Sequence, residues 1–387
     1  MGACPRPLVI ATMRNARCCH VTAGREITVN LESLGWNEYF EAIWNDMERA
    51  DGRPVRVISQ NREIWQVTGE SGVARAEASG KLRMAAEEGG DWPAVGDWVV
   101  VEGDVRSGLA IREVLARRTA IVRKMAGKKV AAQVLAANVD TVFLVMALDG
   151  DFNVRRLERY LAQVWESGAH AIILLNKADL CTDSARQIKE VDRCSMGVPV
   201  HAISAATGKG MEIMEGNLKA GETVVLLGSS GVGKSSIVNW LLGAEQQKIH
   251  EVRSWDSRGH HTTTGRQLLF LDCGAMIIDT PGLRELQLWD AEEGVGNAFS
   301  ELQELSLNCR FRNCQHRGEP GCAIAAAVED GRLAAERFEN YRKLQREQAF
   351  LKRKVDASLQ HEARQSIKKI NRSVREFYRQ RDEKGKL

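Results

Sequence analysis

A glycine-rich segment, GSSGVGKS, occupies residues 228–235. It has the spacing G-x-x-x-x-G-K-[ST], it follows the apolar run TVVLL, and it precedes the helical pattern SIVNWLL. In that context backbone N–H groups can wrap phosphate oxygens, the lysine can reach the β- and γ-phosphates, and the final hydroxyl can bind Mg²⁺. We therefore predict a nucleotide phosphate site made of Gly228, Ser229, Ser230, Gly231, Val232, Gly233, Lys234, Ser235 and Ser236.

A second segment, NKAD, begins at Asn176 and predicts the base. It follows the apolar run AIILL, which places it at the carboxyl edge of a parallel sheet, where such folds bind ligands. The carboxylate of Asp179 can accept from both N1–H and the exocyclic amine of guanine, a donor pair that adenine lacks. Asn176 can brace the loop, and the stem of Lys177 can cover the ring. Ser204 and Ala205 would complete this guanine pocket by offering a backbone N–H to guanine O6.

An acidic residue and a glycine follow the apolar run MII, in the segment DTPG. We predict that Asp279 joins Ser235 in the Mg²⁺ shell and that the N–H of Gly282 meets the γ-phosphate. The preceding segment, SWDSRGHHTTTGR, contains threonines that can cap Mg²⁺ and the γ-phosphate. Residues 250–266 are therefore predicted to be a switch that orders with GTP, in which Thr263 is the Mg²⁺ ligand and catalytic threonine.

The residue after DTPG is Leu283, where many GTPases carry a glutamine that orients water. An aliphatic side chain cannot orient water, so we expect slow intrinsic hydrolysis and help from another side chain or from a partner. His261, beside the switch threonines, is the first candidate for this catalytic role together with Lys234, and His260 competes with His261. The alternative is that both histidines are exposed switch residues without a role in catalysis.

The order of these motifs is not the common one. Most GTPases present the phosphate loop first, whereas here NKAD and the Ser204-Ala205 pair precede it, and the threonines and DTPG follow it. In the usual motif names the order is G4-G5-G1-G2-G3. We therefore predict a circularly permuted P-loop GTPase, in which the nucleotide state directly moves whatever follows Gly282.

Three cysteines and one histidine lie close together in the segment NCRFRNCQHRGEPGCAI. Their spacing, C-x4-C-x-H-x5-C, supplies three thiolates and an imidazole, which suits tetrahedral Zn²⁺ and leaves no open position for catalysis. The alternative, a set of free thiols, would be open to oxidation. We predict one structural zinc ion bound by Cys309, Cys314, His316 and Cys322.

The elements that must position these residues form a multidomain α/β chain. Residues 1–50 are predicted to be a leader and a short amphipathic helix, and five β-rich runs in residues 51–121 predict an OB-type barrel, with an SH3-like barrel as the alternative. The segment SGKLRMAAEEGGDWPAVG between these runs is predicted to be a turn. Residues 122–290 alternate apolar runs with helical patterns, which predicts a parallel sheet covered on both faces. Residues 291–387 are predicted to be a zinc-binding module with a basic, amphipathic helical tail.

Composition excludes several classes of protein. With 387 residues, 44% hydrophobic and 27% charged, the chain is neither collagen-like nor wholly disordered, and no run approaches the roughly 20 apolar residues of a membrane span. Nine cysteines, an odd number, do not fit a secreted disulfide framework, so we expect a cytoplasmic protein. Nothing in the sequence demands a dimer, and we expect a monomer. Residues 336–387 carry 16 Lys and Arg against 8 Asp and Glu, which predicts a phosphate-rich partner or, alternatively, a solvated helix face.

Taken together, these motifs resemble one family, the bacterial ribosome small subunit-dependent GTPase A (RsgA) family. The resemblance spans residues 31–375 and is carried by PAVGDWV, GSSGVGKSS, HTTT, DTPGLREL and CRFRNCQHRGEPGCAI. It implies the roles given above for Lys234, Ser235, Asp179 and the zinc ligands, and it implies a catalytic role for His261. The sequence departs from the family at His260, where the family has another basic residue, and potassium stimulation is not implied, because Gly231 replaces an asparagine of potassium-binding relatives.

The resemblance also implies a function. Members of the family are late assembly factors of the small (30S) ribosomal subunit, which stimulates their GTP hydrolysis, so the expected partners are 16S rRNA, subunit proteins and guanine nucleotides, and not a membrane. One alternative is a nucleotide-gated rRNA-binding regulatory module that senses GTP or guanosine tetraphosphate and in which turnover is incidental. A second alternative, a permuted GTPase of the large-subunit pathway, is disfavoured by the zinc module and the barrel.

Overall fold

The computed structural model describes residues 30–47, 52–87, 91–105, 108–124, 132–243, 266–279 and 292–355. Within these ranges the chain forms a barrel, a central α/β sheet and a helical module, in that order. Among the helices of these ranges, none combines the length and the apolar run that a bilayer span requires.

A short helical segment precedes the barrel. A 3-10 helix spans Leu31–Leu34, and α1 spans Glu38–Asp46. The single helix predicted here is thus divided, because Gly35 has a left-handed φ of 88° that ends the first turn. The rings of Trp36 and Trp98 meet edge to face with their centroids 4.7 Å apart, so the segment packs on the barrel.

Five strands close the predicted barrel: β1 Arg53–Asn61, β2 Ile64–Gly69, β3 Gly72–Ala78, β4 Trp98–Asp104 and β5 Gly108–Val114. Strand β1 pairs with both β2 and β4, β2 pairs with β3, and β5 pairs with both β3 and β4, so the pairings run around a closed ring. Alternate side chains point inward, and Trp65, Val67 and Ile111 are buried there.

The connection between β3 and β4 is not the predicted turn. Helix α2 spans Gly80–Glu87. Most residues of its sequence, GKLRMAAE, are strong helix formers, and the hydroxyl of Ser79 accepts a hydrogen bond from the N–H of Leu82 at 3.2 Å. The prediction was wrong because this local helix propensity and side-chain cap outweigh the single glycine at the start of the helix.

A hairpin of β6 Ala120–Lys124 and β7 Ala132–Ala137 leads from the barrel to the central sheet. The predicted boundary between residues 121 and 122 therefore falls inside β6. The six strands of the central sheet are β8 Thr141–Ala147, β9 His170–Asn176, β10 Val200–Ala202, β11 Thr223–Leu227, β12 Arg266–Phe270 and β13 Met276–Asp279.

The central sheet has the strand order β10-β9-β8-β11-β13-β12, in which all strands but β12 are parallel. Its helices are α3 Val154–Ser167, α4 Ser184–Asp192, α5 Met211–Gly216 and α6 Lys234–Leu242. Neighbouring residues of β8 enter two different apolar clusters, since Leu144 lies in one and Phe143 and Val145 lie in the other. Both faces of the sheet are thus covered, as predicted.

The barrel and the central sheet share backbone hydrogen bonds. Strand β1 pairs with β12 at Ser59–Gln267 and Gln60–Arg266, so that eleven strands form one continuous sheet. The guanidinium of Arg56 lies near this junction, 1% exposed, and donates to the carbonyl of Leu34 and to the hydroxyl of Thr223, the latter at 2.7 Å. It also contacts the carbonyls of Gly96 and Asn138.

The C-terminal module consists of α7 Glu292–Ala298, α8 Ser300–Leu307, α9 Ala323–Glu329 and α10 Ala335–Val355. Its core contains Phe299, Leu302, Ile324 and Leu344. Phe338, Tyr341 and Leu344 of the predicted amphipathic stripe pack into this core, and the part of the predicted tail beyond residue 355 lies outside the described residues.

The C-terminal module packs against helix α3 of the central sheet. A Cβ atom at Gly294 of α7 would lie 1.9 Å from the carbonyl oxygen of Ala162, so only glycine allows the two helices to approach this closely. The buried carboxylate of Glu158 accepts from Arg337 and from the side-chain amide of Asn340, both on α10. The module is therefore joined to α3 by packing and by a buried ion pair.

Candidate nucleotide and metal sites

The glycine-rich loop connects the end of β11 to the start of α6 at the carboxyl edge of the sheet. A Cβ atom at Gly228 would lie 2.2 Å from the carbonyl oxygen of Val145, and one at Gly233 would lie 2.2 Å from the side-chain nitrogen of Asn176. Both glycines also have positive φ angles, of 155° and 98°. Glycine is therefore required at both ends of the loop, which curls around the N-terminus of α6 and can bind phosphate there.

The side chains of the loop are arranged for phosphate binding. The ammonium group of Lys234 donates to the carbonyls of Gly228 and Ser229, both at 2.6 Å, and so lies across the loop. Ser235 and Ser236, in the first turn of α6, are exposed. The helix N-terminus and the exposed Ser235 hydroxyl are therefore accessible to an anionic ligand and its Mg²⁺, and Lys234 lies across the same loop.

Asn176 joins the predicted base segment to the phosphate loop. Its side-chain nitrogen donates to the carbonyl of Val232 at 2.8 Å, and its side-chain oxygen accepts from the backbone N–H of Ala205 at 3.0 Å. The residue is 2% exposed. Of the two residues predicted to offer an N–H to guanine O6, Ala205 thus donates to Asn176 in this structure, and Ser204 donates to the carbonyl of Lys209.

Asp179 and Ser204 form the second link in the base pocket. The Ser204 hydroxyl, which is buried, donates to a carboxylate oxygen of Asp179 at 2.5 Å. Asp179 itself is exposed, so its carboxylate faces the space next to the sheet edge. The contact fixes one oxygen of the carboxylate that is predicted to accept from guanine.

Two acidic residues that the motif analysis missed also line this edge. Asp149 accepts from the ammonium group of Lys177 at 2.8 Å, and Asp151 accepts from the Ser229 hydroxyl at 2.6 Å. Both follow β8 in the segment LDGDFN. The signal that could have found them is their position, because polar residues directly after a parallel strand lie at the ligand edge of the sheet.

The remaining predicted nucleotide residues are only partly described. Asp279 ends β13, beside β11, at the same edge of the sheet as the glycine-rich loop. His260, His261, Thr263, Gly282 and Leu283 lie outside the described residues. The structure thus brings the phosphate and base segments together.

The structure also brings together the four predicted metal ligands. The thiol sulfurs of Cys309, Cys314 and Cys322 and a ring nitrogen of His316 all lie within 4.8 Å of one another. The Nδ1 atom of His316 lies 3.6 Å from the sulfur of Cys309 and 3.5 Å from that of Cys322. Zinc bound tetrahedrally at its usual distances would place sulfur and nitrogen ligands roughly 3.5 Å apart. The donor set and its spacing therefore fit a four-coordinate metal ion.

Backbone and side-chain groups support this cluster. The sulfur of Cys322 accepts from the N–H of Ala325 at the start of α9. Burial acts to raise the pKa of Cys309, but hydrogen bonds from the N–H groups of Ala323 and Ile324 and from the thiols of Cys314 and Cys322 together hold that pKa below its ordinary value. The carboxylate of Glu319 accepts from the N–H of Gln315 and contacts the Cys314 sulfur at 3.7 Å. The loop is thus folded around its ligands by its own hydrogen bonds.

Comparisons with known proteins agree with this arrangement. A family model described as RsgA GTPase matches residues 114–289. A protein from Opitutus terrae, named small ribosomal subunit biogenesis GTPase RsgA, is 43% identical over 357 residues, which cover 90% of this chain and 97% of that relative. The crystal structure of YjeQ from Thermotoga maritima is 30% identical, has a TM-score of 0.58, and covers 77% of this chain and 98% of that one.

A further crystal structure supports the fold. YloQ, described as a circularly permuted GTPase, is 24% identical with a TM-score of 0.55, and it covers 78% of this chain and 97% of that one. The permuted order of motifs predicted from the sequence is therefore confirmed. From its motifs, its fold and its relatives, the chain belongs to the RsgA GTPase family and is a circularly permuted GTPase.

Proposed function

We propose that this chain hydrolyses GTP to GDP and phosphate during late maturation of the small ribosomal subunit, and that the subunit stimulates hydrolysis to time release of the protein. The observation that carries the proposal is the meeting of the NKAD segment, the Ser204-Ala205 pair and the phosphate loop at one sheet edge. The names of relatives that are about 40% identical, small ribosomal subunit biogenesis GTPases, support the choice of partner.

In the proposed site, guanine is bound by Asp179, covered by the stem of Lys177 and bordered by Ser204 and Ala205. The loop N–H groups and Lys234 bind the phosphates. Mg²⁺, when bound, neutralises charge between the β- and γ-phosphates. Its proposed protein ligands are Ser235, Thr263 and Asp279, with Gly282 at the γ-phosphate and His261 at the water.

The proposal extends to the metal cluster, the oligomeric state and the compartment. We propose that Cys309, Cys314, His316 and Cys322 hold one structural zinc ion, because three thiolates and one imidazole with no open position are typical of such sites. The protein is proposed to act as a monomer in the cytoplasm, where its proposed partner is assembled.

The test is GTP turnover by the purified chain, alone and with small or large ribosomal subunits added, using Lys234→Ala as the blank. We expect stimulation of at least about tenfold by the small subunit alone, since partner-completed GTPase sites gain more than this. Stimulation by the large subunit alone would favour the large-subunit pathway. Intact GTP binding without stimulation by either particle would contradict the proposal.

A second measurement separates the proposal from a regulatory module with incidental turnover. In GTP, His261→Ala should remain on small subunits in co-sedimentation, because release is proposed to need hydrolysis. Normal release of a variant that binds GTP but no longer hydrolyses it would favour the regulatory function instead.

A further inference from the structure

The turn that connects β8 to α3, residues 148–153, lies between the base segment and the phosphate loop. Its sequence, LDGDFN, contains two carboxylates, Asp149 and Asp151. Acidic side chains next to a phosphate site repel the negatively charged ligand unless a nearby cation or donated hydrogen bonds neutralise the carboxylate charge. The contacts of both residues show that their charges are matched by cations of the protein.

Asp149 contacts the base segment through Lys177. One of its oxygens accepts from the ammonium group of Lys177 at 2.8 Å, in an ion pair whose side chains are each about 30% exposed. The backbone strengthens the same connection, because the N–H of Leu148 donates to the carbonyl of Asn176 at 2.8 Å. This pair also lowers the pKa of Asp149 below its ordinary value, chiefly through the hydrogen bond from Lys177.

Asp151 contacts the phosphate loop through Ser229. One of its oxygens accepts from the hydroxyl of Ser229, in the phosphate loop, at 2.6 Å. The other lies 2.7 Å from the guanidinium of Arg156, in the first turn of α3. The negative charge of Asp151 is thus matched by an arginine, and its hydrogen bond fixes the side chain of a loop residue.

The two acids are also joined to each other. The second oxygen of Asp149 accepts from the N–H of Asp151 at 2.9 Å. A continuous series of hydrogen bonds therefore runs from Lys177 through Asp149 and Asp151 to Ser229. Starting α3 does not require either acid, since Asn153 caps that helix by accepting from the N–H of Arg156.

We propose that Asp149 and Asp151 are positioning residues that set Lys177 and the phosphate loop in their nucleotide-binding positions before the nucleotide arrives. Binding then orders fewer side chains, which raises affinity without any contact between these acids and the ligand. This inference rests on the proposed nucleotide site and deepens it, because it adds a six-residue turn to the direct link that Asn176 makes between the base segment and the phosphate loop.

The test is equilibrium binding of GDP, GTP and inosine diphosphate by displacement of a fluorescent GDP from the full-length chain. Inosine lacks the exocyclic amine that Asp179 is proposed to bind. We expect Asp149→Asn to weaken GDP and inosine diphosphate by the same factor, about tenfold, which corresponds to the loss of one charged hydrogen bond. Asp179→Asn should instead reduce the preference for GDP over inosine diphosphate.

A second set of variants tests the link between the acids. Asp151→Ala and Ser229→Ala should each weaken GDP and GTP, and the double variant should be no weaker than Asp151→Ala alone, since both changes break the contact between Asp151 and Ser229. Asp149→Asn retains an oxygen that can accept from the Asp151 N–H, whereas Asp149→Ala does not. In a chain that carries Asp149→Ala, Ser229→Ala should therefore cause no further loss of GDP affinity. In a chain that carries Asp149→Asn, Ser229→Ala should still reduce that affinity.

Control variants distinguish a failure of this inference from a failure of the proposed nucleotide site. Asp330→Asn removes a carboxylate that pairs with Arg332 in the C-terminal module and should bind GDP as the unaltered chain does. If the unaltered chain binds GDP no better than Lys234→Ala, the proposed nucleotide site itself fails. If the unaltered chain binds but the Asp149 and Asp151 variants bind equally well, or if Asp149→Asn changes the preference for GDP over inosine diphosphate, the inference is overturned.

Discussion

The side-chain amide of Asn176 donates to the carbonyl of Val232 at 2.8 Å and so ties the base segment to the phosphate loop, 56 residues further along the chain. In Asn176→Ala, this carbonyl and the N–H of Ala205 would lose their partners in a buried place. Unpaired buried groups cost about 1–3 kcal/mol each, so we expect both weaker GDP binding, by about tenfold or more, and a lower unfolding temperature.

Fluorescent-GDP titration and thermal unfolding check this prediction. Asn308→Ala is the matched control, because the side chain of Asn308 donates to a backbone carbonyl at an exposed position of the C-terminal module. An Asn176→Ala chain with unchanged GDP affinity would contradict the bridging role.

We expect truncation of the Arg56 side chain to destabilise the protein strongly. Burial lowers its pKa to about 10, so it stays charged at neutral pH, where it is held by uncharged oxygens of four segments. Arg56→Ala would leave the acceptors of Leu34, Asn138 and Thr223 without this donor around a cavity, and we expect a loss of about 3 kcal/mol or more in the free energy of unfolding.

Urea titration measures this loss. Arg53→Ala, three residues earlier on β1, is the control, since Arg53 makes one exposed hydrogen bond to the carbonyl of Gly103. Its expected change is within about 0.5 kcal/mol, as for most surface substitutions. Equal losses for the two variants would show that Arg56 does not hold the segments together.

The ion pair between α3 and the C-terminal module predicts a pH dependence. Burial raises the pKa of Glu158, and Arg337 opposes that rise. In Arg337→Met the pKa of Glu158 should rise further, and Glu301, which also pairs with Arg337, would lose its partner as well. A carboxyl whose pKa is higher in the folded state binds more protons there, so stability falls as pH rises above about 4.3.

We therefore expect Arg337→Met to lose about 3–5 kcal/mol at pH 8 and distinctly less at pH 5, measured by urea titration at both values. Arg155→Met is the matched control, because Arg155 faces Glu339 at 3.8 Å in an exposed pair of the same two helices. A loss that is larger at pH 5 would refute this account of the pair.

We expect substitution of a metal ligand to remove the metal from the C-terminal module without affecting nucleotide binding. Cys322→Ser removes a buried ligand, and we expect bound zinc to fall from about one ion per chain to near zero. Nucleotide affinity should persist, since no cluster residue lies among the nucleotide residues. Cys273→Ser, at an exposed cysteine, should retain the metal. Metal analysis by atomic emission checks both, and full metal content in Cys322→Ser would contradict the ligand set.

Motifs with local spacing were predictable from the sequence. The phosphate loop, the NKAD segment and the cysteine–histidine cluster each consist of particular residue types at a fixed local spacing, and the strands around them follow from apolar runs. Asp149 and Asp151 were missed because their role depends on Lys177 and Ser229, which reach them only through the fold. The β1–β12 pairing was missed for the same reason, since no periodicity in the sequence records which strands of two domains meet.

The β1–β12 ladder has a mechanical consequence. Among the described residues it includes the pairs Ser59–Gln267 and Gln60–Arg266. A slip of one residue would turn every side chain of β12 to the opposite face, where Leu268 would leave the buried cluster it now joins. The buried position of Leu268 therefore fixes the register of the barrel against the central sheet. A particle that binds the barrel is thereby placed at a fixed register against β12, the strand that begins at Arg266, where the predicted GTP switch ends.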